Sequence, residues 1–393
     1  MNFDLTPDQQ LLKDGLERLL AERYAFEQRK AHLFGAPGWS REMWSRYAEM
    51  GLLALPFSEA DGGLGGGPVE TMIVLESFGR ALTLEPYLAT LLLAGGCLRF
   101  AGTPVQRAQL IPGMVDGSKL LALAHVERQA RYDLADVATT ARRDGVSHGG
   151  HEGASGSGGG WTLEGTKNFV LHGDSAGKLI VSARVSGGQR DRSGLTLFLV
   201  DSNAPGVSRR GYVMQDGIRA ADITLSNVHV SADDLLGTAG EALPVIERVV
   251  DIAIAALCAE AVGAMARAHE ITVEYLKIRK QFGVQIGSFQ ALQHRAVDML
   301  VMIEQARSLA MYATMMSEDS DPAARAQAVS AAKAYIGRTG KLVGEQAIQL
   351  HGGIGVTEEC AVGHYYRRLT MIDILFGDSA HHLAAVANAG GLG

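Results

Sequence analysis

The residues best suited to chemistry lie in two short segments in the last third of the chain. Arg279, Gln281 and Phe282 bring a guanidinium, an amide and an aromatic ring close together. A cation near a helix end often only complements the helix dipole, but this group could also hold the pyrophosphate and flanking ring of a dinucleotide. Residues 349–355 (QLHGGIG) are a helix end followed by glycines. They form either an ordinary helix cap or a place where the backbone approaches a ligand closely.

Composition narrows the class of protein around these segments. Of 393 residues, 47% are hydrophobic and 20% are charged, which is typical of a soluble globular protein. The net charge of −7 gives no support to a nucleic-acid partner, which would favour a basic surface. Three widely spaced cysteines predict neither a disulfide framework nor a metal site.

The chain carries no recognisable targeting signal in its first residues. The start, MNFDLTPDQQ, lacks the basic region and apolar core of a signal peptide. The apolar stretch at residues 88–97 is shorter than the ~18 residues needed to span a bilayer. We therefore expect a cytoplasmic protein without a membrane or nucleic-acid partner.

The hydrophobic pattern changes twice along the chain. Residues 1–120 show helical spacing, with a helix start predicted at Thr6 and Pro7. Residues 121–233 contain short alternating or β-branched runs, which predict strands, and a Gly/Ser/His-rich segment, residues 145–160, is interpreted as a flexible hairpin loop. Residues 234–393 are helical again. Because helices and strands occur in blocks, we predict an α+β fold, mostly α, with a central antiparallel sheet or barrel.

The motifs together resemble the acyl-CoA dehydrogenase family. The sequence RKQFG at residues 279–283, followed by Phe289-Gln290 and by QLHGG at residues 349–353, looks like that family's C-terminal domain. Residues 51–56 (GLLALP) and 76–80 (ESFGR) are similar to its N-terminal helical domain. The resemblance covers essentially the whole chain. It implies a helical domain at 1–120, a β domain at 121–233 and a four-helix bundle at 234–393.

The resemblance also implies a homo- or heterotetramer with FAD in an extended pose at a subunit interface. By position, Arg279, Gln281 and Phe282 would touch the pyrophosphate and adenosine half of FAD. Ser379 and His381 would lie beside the flavin, and the adjacent His381 and His382 are expected at the polar surface or the flavin side, not as a metal pair. Five residues would complete the adenosine end from the neighbouring chain, namely Phe289, Gln290, Gln349, Gly352 and Gly353.

Two expected contacts to the flavin ring are altered. The family's T-E-P-x-x-G-S-D segment corresponds to residues 126–133 (VERQARYD), so Val126 replaces a hydrogen-bonding Thr. The W-I-T-N-G strand corresponds to residues 169–173 (FVLHG), in which Phe169 replaces Trp and Leu171 replaces a second Thr. We therefore expect the adenosine contacts to be kept and the isoalloxazine contacts to lack two hydroxyl groups.

The catalytic base is the point at which the chain departs most from the family. The family's R-D-A and I-Y-E-G-T segment pairs with residues 368–379, which places Gly377 at the Glu that removes the α-proton of the thioester. Asp378 is the nearest acid and is our predicted base, although it could equally cap the following helix. The base position that some members use on the long helix pairs with Ala253, and Asp251 lies on another face of that helix.

The resemblance implies an FAD-dependent enzyme that oxidises an acyl-CoA to the 2,3-enoyl-CoA. Electrons would pass to an electron-transferring flavoprotein. Residues 352–378 are most similar to the small subunit of pimeloyl-CoA-type dehydrogenases, which pair with a large subunit. Two alternatives stay open. The chain could lack its own base and support a catalytic partner, or it could be a non-enzymatic acyl-CoA-binding protein that has lost flavin.

Overall fold

The computed structural model describes residues 4–144 and 159–391. The chain divides into two compact units. One comprises Met1–Trp39, Gly66–Leu84 and Asp251–Gly393, and the other comprises Ser40–Gly65 and Glu85–Val250. The helices are α1 (Pro7–Arg23), α2 (Phe26–Phe34), α3 (Arg41–Glu49), α4 (Pro68–Ala81), α5 (Gly95–Ala101), α6 (Pro104–Val115), α7 (Leu243–Ile278), α8 (Gln290–Met316), α9 (Pro322–His351), α10 (Ala361–Ile374) and α11 (Ser379–Asn388).

The predicted helix start at Thr6 is confirmed. The Thr6 hydroxyl accepts a hydrogen bond from the Gln9 backbone N–H at 3.2 Å, and the Gln9 side chain accepts one from the Thr6 N–H at 3.0 Å. Pro7 occupies the first turn of α1, where its missing N–H costs nothing. The reciprocal bonds satisfy two donors that a helix start otherwise leaves unpaired.

The ESFGR motif is explained by close packing between α4 and α7. A Cβ added to Gly79 would lie 1.9 Å from the Glu260 carbonyl oxygen, and one added to Gly263 would lie 1.9 Å from the Glu76 carbonyl oxygen. Only glycine therefore fits at either position. The same motif carries Arg80, whose guanidinium pairs with Glu270 at 2.9 Å. The motif holds helices together.

The C-terminal helices are joined by equally close contacts. A Cβ added to Gly337 of α9 would lie 2.1 Å from a carboxylate oxygen of Asp373, and one at Gly344 would lie 2.9 Å from the Tyr366 ring, both on α10. Arg368 of α10 forms a buried bidentate pair with Glu260 of α7, at 2.6 and 2.7 Å. These contacts fix α10, which leads into the segment around residue 377.

The second unit contains an eight-stranded sheet, whose strands are β1 (Leu121–Ala124), β2 (Thr140–Arg143), β3 (Trp161–Leu171), β4 (Lys178–Arg184), β5 (Leu195–Asp201), β6 (Val207–Val213), β7 (Arg219–Val230) and β8 (Leu235–Leu236). Their order is β6-β7-β3-β2-β4-β5-β8, with β1 paired to β4. The predicted antiparallel pairing holds for most neighbours, whereas β1 and β2 each run parallel to β4. No tight hairpin joins β1 to its partner, so no turn sets its direction. In the first unit, β9 (Lys280–Gln281) and β10 (Val284–Gln285) form a separate hairpin.

The hairpin loop predicted at residues 145–160 lies almost entirely outside the described residues. Its two ends are in place, because Arg143 of β2 pairs with Trp161 of β3. The Asp144 N–H donates to the Gly160 carbonyl oxygen at 2.9 Å. The strands that flank the segment are therefore paired up to its boundaries.

One helix of the described residues, α7, is long and apolar enough to cross a membrane by length and composition. Its most apolar 18-residue window has a mean hydropathy of 1.9. This window is longer than the apolar stretch noted in the sequence at residues 88–97. Within the fold, 83% of that window is buried. A core helix of a globular protein passes the same test, and α7 supplies side chains such as Leu257 and Val262 to the interior.

Candidate functional site

The segment after α10 is held by a buried lysine. Lys333 of α9 is fully buried, and its ammonium donates to the Asp373 carbonyl oxygen at 2.8 Å and to the Gly377 carbonyl oxygen at 2.6 Å. Burial lowers the pKa of Lys333 to about 8, and the neighbouring Asp373 and Asp378 carboxylates act in the opposite direction. The ammonium thus fixes the backbone at the position where the resemblance expects a catalytic base.

Gly377 occupies a backbone conformation and a space that exclude other residues. Its φ is +118°, in a region that L side chains rarely adopt. A Cβ there would lie 2.6 Å from Nε2 of His382 and 2.7 Å from Cδ2 of His381. A Gly377→Glu substitution would therefore disturb this corner rather than restore a base in place.

Asp378 caps α11. Its carboxylate accepts a hydrogen bond from the His381 backbone N–H at 2.8 Å, in the standard arrangement of an N-cap residue. This is the structural use that was left open for the predicted base. Ser379 donates its N–H to the Asp373 carboxylate at 3.0 Å, so both residues are engaged in shaping the start of the helix.

The two adjacent histidines differ in environment. His381 is exposed, as expected for a surface residue, whereas His382 is buried, so a surface position is wrong for it. A position beside the flavin stays a prediction for both. The His382 Nε2 lies 3.1 Å from the Phe376 carbonyl oxygen and its Nδ1 lies 3.1 Å from the Ser330 hydroxyl. A carbonyl only accepts, so Nε2 carries the proton and Nδ1 accepts from Ser330. His382 and Val386, one turn apart, are the buried residues of α11.

This buried histidine predicts acid-sensitive folding. Burial, the Lys333 ammonium and His381 lower the pKa of His382 from 6.5 to about 3. The folded chain therefore binds this proton more weakly than the unfolded chain, so the stabilisation is complete above pH 6.5 and is lost as the pH falls toward 3. The loss is about 1.4 kcal/mol per pH unit. The test is urea unfolding of the wild type and of His382→Gln at about pH 7.5 and about pH 5. Between these two conditions the free energy of unfolding should fall by about 2 kcal/mol less in the variant than in the wild type. Equal losses would show that His382 does not titrate in this way.

The second possible base position offers no carboxylate. Ala253 of α7 is fully buried. Asp251 accepts a 2.8 Å hydrogen bond from the Arg325 guanidinium, which is itself buried. The nearest acid on that helix is therefore committed to an ion pair that joins α7 to α9.

The residues expected at the adenosine end of FAD lie on an exposed projection. The β9–β10 hairpin carries Gln281 and Val284, and Arg279 immediately before it is exposed. Phe282 at its tip is 91% exposed, with its ring 6.3 Å from that of Phe289. Two aromatic rings exposed together next to a guanidinium suit a ligand or a neighbouring chain that covers them.

The glycines after α9 are open to a ligand. A Cβ added to Gly352 or Gly353 would meet nothing within 4 Å, and Gly352 has a φ of +64°. Gln349, three residues before Gly352, is exposed, and so is Gln290 at the start of α8. A cavity of about 360 Å³ adjoins this segment, and it is lined by Ile271, Glu274, Tyr275, Ile278, His351, Ile354, Thr357, Glu359, Cys360 and Ala361.

Of the residues expected beside the flavin ring, Val126, Phe169 and Leu171 belong to the sheet unit, whereas Ser379 and His381 belong to the first unit. The Val126 carbonyl oxygen, just after β1, accepts a hydrogen bond from the Asn168 N–H of β3 at 2.8 Å. Phe169 follows at a bulge of β3 with a φ of +58°, and Leu171 is buried. The structure thus brings Val126 and Phe169 close, and it shows no side-chain hydroxyl at 126, 169 or 171.

A buried ion pair supports this corner of the sheet and was missed in the sequence. The Lys167 ammonium donates to Glu127 at 2.6 Å, to the Ser182 hydroxyl at 3.1 Å and to the His125 carbonyl oxygen at 3.3 Å. Burial raises the pKa of Glu127, but the charge of Lys167 and hydrogen bonds with Lys167, Thr139 and Gln129 outweigh it and lower the pKa to about 2. Burial lowers the pKa of Lys167 to about 8. The available signal was a lysine four residues after Leu163, on the face of β3 that the alternating pattern turns inward.

These residues fit FAD at its adenosine end. The open glycines allow close backbone approach, and Arg279 with the exposed aromatic pair offers a cation and stacking surfaces. At the ring end the chain offers apolar side chains and backbone groups. When bound, FAD supplies the acceptor for a hydride.

Three family profiles match almost the entire chain. They are the acyl-CoA dehydrogenase N-terminal domain at residues 6–118, the middle domain at 122–230 and the C-terminal domain at 243–391. The chain is 28% identical to an acryloyl-CoA reductase (NADH) of Anaerotignum propionicum, over 98% of this chain and 95% of that protein. It is 27% identical to the caffeyl-CoA reductase-Etf complex subunit CarC of Acetobacterium woodii, over 86% of both.

A solved structure has the same fold. The Tcur3481-Tcur3483 steroid ACAD G363A variant superposes with a TM-score of 0.84 at 30% identity, covering 97% of each chain. This agreement confirms the predicted order of helical, β-sheet and helical domains. The chain belongs to the acyl-CoA dehydrogenase family, whose members are FAD-dependent oxidoreductases.

Proposed function

We propose that this chain is one subunit of a hetero-oligomeric acyl-CoA dehydrogenase and that a partner subunit supplies the catalytic base. The reaction is the oxidation of an acyl-CoA to the 2,3-enoyl-CoA. The resemblance to the small subunit of pimeloyl-CoA-type dehydrogenases supports the same assignment. The solved steroid ACAD, whose name joins two proteins, is a further example of such a pairing within this fold.

The observation that carries this proposal is the geometry at residues 377 and 378. The first has no side chain and no space for a Cβ, and the carboxylate of the second caps a helix. Removal of an α-proton needs a carboxylate within hydrogen-bonding reach of that proton. A displacement of about 1 Å can cost ~10²-fold in rate, and a carboxylate one residue along also points in a different direction.

In this proposal the chain's own residues bind FAD and shape the reaction site. Arg279, Gln281 and Phe282 are proposed to hold the pyrophosphate and adenosine part of FAD, and the open backbone at Gly352 and Gly353 allows its close approach. The buried Lys333 ammonium fixes the carbonyl of residue 377 and thereby the wall of the reaction site. The apolar side chains of Val126 and Leu171 keep water away from the flavin ring, since a water molecule finds no hydrogen-bond partner on them.

An oligomer is part of the proposal. The exposed apolar residues of the first unit include Phe282, Val297 and Val301, and the first turns of α8 are exposed on most faces. A neighbouring chain would cover them, as expected for a homo- or heterotetramer in which FAD lies between subunits. Sedimentation of the FAD-loaded protein should give an oligomer, and a monomer with stoichiometric FAD would contradict it.

We propose an electron-transferring flavoprotein as the redox partner. The support comes from CarC, whose name places it in a complex with Etf.

A second function is supported by the exposure of Asp378. Its side chain is only partly buried, so a change of rotamer would release the carboxylate from the cap and allow this chain to act alone. A flavin-free scaffold is less well supported, because open glycines beside an exposed Arg279 serve no purpose in it.

An Asp378→Asn substitution tests the two functions. Asparagine caps helices as well as aspartate does, so stability should be preserved while basicity is removed. In the complex with its partner subunit, we expect flavin reduction by acyl-CoA to change by less than about twofold. Asp321→Asn is the matched control, because Asp321 caps α9 in the same way. A fall of ~10²–10⁴-fold in Asp378→Asn but not in Asp321→Asn would assign the base to Asp378.

A further inference from the structure

The loop after β1 presents two arginines on a rigid backbone. Three successive turns form its frame, with hydrogen bonds from the N–H of Ala130 to Glu127, from Asp133 to Ala130 and from Asp136 to Asp133. The Glu127 carboxylate anchors the start of the loop through its bonds to Lys167 and to the Ala138 and Thr139 N–H groups. Arg128 and Arg131 each occupy the second position of a turn, where a side chain projects outward.

The backbone at Arg131 is strained. Its φ is +50°, in the left-handed region that costs a non-glycine residue about 1–2 kcal/mol. Gly is the residue that adopts this conformation without cost, and the related T-E-P-x-x-G-S-D segment has Gly here. An arginine kept at a glycine-like position suggests that its side chain has a use which offsets the strain.

Neither arginine is neutralised by the part of the chain that the structure describes. Over residues 4–144 and 159–391, Arg128 and Arg131 are exposed and form no ion pair or side-chain hydrogen bond. Asp133, the carboxylate within the loop, accepts the Ala135 N–H at 2.9 Å. Arg190 borders the same loop through its 2.7 Å pair with Asp136, and its side chain is otherwise exposed. With Glu127 paired to Lys167 and Asp136 paired to Arg190, the two arginines exceed the remaining carboxylate of the loop by one positive charge, in a protein whose net charge is −7.

We propose that Arg128 and Arg131 bind the phosphate groups of the CoA part of the substrate. This inference rests on the proposed function, because it assigns a site to one end of the thioester. Guanidinium groups bind phosphate oxygens through paired, charge-assisted hydrogen bonds. The loop begins at Val126, which the resemblance places beside the flavin ring. The CoA arm leads from the reacting carbons to the surface, where exposed guanidiniums can meet its phosphates.

The test compares three probes on the FAD-loaded oligomer by calorimetry. The probes are CoA, dephospho-CoA and pantetheine, which lose phosphate groups in steps. The wild type should bind CoA at least about tenfold more tightly than pantetheine. Arg128→Ala and Arg131→Gly should each weaken CoA binding about tenfold and leave pantetheine binding unchanged. Dephospho-CoA shows whether the 3′-phosphate or the diphosphate is contacted. Arg142→Ala, which removes another exposed arginine of the same unit, should leave CoA binding unchanged.

Arg131→Gly separates binding from folding, because the glycine relieves the backbone strain. Its melting temperature should rise while CoA affinity falls, which a purely structural role for Arg131 does not predict. Equal binding of CoA and pantetheine by the wild type, or arginine variants that behave like Arg142→Ala, would overturn the site and leave the proposed function standing. A loss of electron transfer to the redox partner with unchanged CoA binding would assign the loop to a protein partner instead. Absence of binding by all three probes would contradict both proposals.

Discussion

A Lys167→Met variant is expected to lose about 3–5 kcal/mol of unfolding free energy. Lys167 is fully buried and Glu127 is 3% exposed, so the substitution leaves a buried carboxylate without its counter-ion. Glu127 also holds the Ala138 and Thr139 N–H groups. We therefore expect the loop that begins at Val126 to loosen together with the fold. Urea unfolding gives the free energy, and the visible spectrum of bound flavin reports the loop.

The control for this prediction is the double variant Lys167→Met, Glu127→Gln. Replacing the unpaired Glu127 carboxylate by a neutral amide should recover at least half of the lost stability, because an amide costs less to bury than a charge without a counter-ion. Lys178→Met, at the partly exposed start of β4, should change stability by less than about 0.5 kcal/mol. If Lys167→Met proved as stable as Lys178→Met, the pair would not support the corner.

An Arg279→Ala variant is expected to lose FAD. The substitution removes charge-assisted hydrogen bonds to the pyrophosphate, of about 1.5–3 kcal/mol, which corresponds to roughly 10–150-fold weaker retention. Because Arg279 is exposed and no partner holds it within residues 4–144 and 159–391, folding of the isolated chain should be unaffected. The measurement is the flavin-to-protein absorbance ratio after dialysis, followed by titration with FAD.

Arg338→Ala provides the matched control, since Arg338 is an exposed arginine on α9. It should retain flavin like the wild type. Normal flavin content in Arg279→Ala would remove the pyrophosphate role from this residue. A variant that fails to assemble and also loses flavin would still support a site between subunits, provided that added FAD restores assembly.

The order of the domains could be predicted from the sequence because periodicity reports which faces are buried. The leucines of α1 and the capping residue Thr6 obey local rules that do not depend on the rest of the chain. The parallel pairing of β1 and β2 with β4 could not be predicted in this way. Its register depends on contacts between residues far apart in sequence, such as Leu121 with Lys178.

The details of the candidate site were less accessible for a similar reason. Comparison with the family's motif showed that Gly377 stands where the family has its catalytic Glu. The role of Asp378 as a helix cap, however, depends on the position of the His381 N–H, three residues further on. The burial of His382 and the pairing of Lys167 with Glu127 depend on which strand or helix covers them. A charged residue at an inward-facing position indicates that a partner exists without saying which residue it is.

The contact between α4 and α7 bears on how gene duplicates of this protein can diverge. The carbonyl oxygens of Glu76 and Glu260 leave no space for a methyl group at Gly263 and Gly79. Every copy that still folds therefore keeps glycine at these two positions. Residue 377 lies outside that contact, and its restraint comes from α11, where an added Cβ would meet His381 and His382. A duplicated copy that comes to rely on its sister's base can drift there while its ESFGR sequence stays intact. The ESFGR sequence therefore reports common ancestry and not activity. A function inferred from overall similarity alone will attribute catalysis to copies that no longer carry a base.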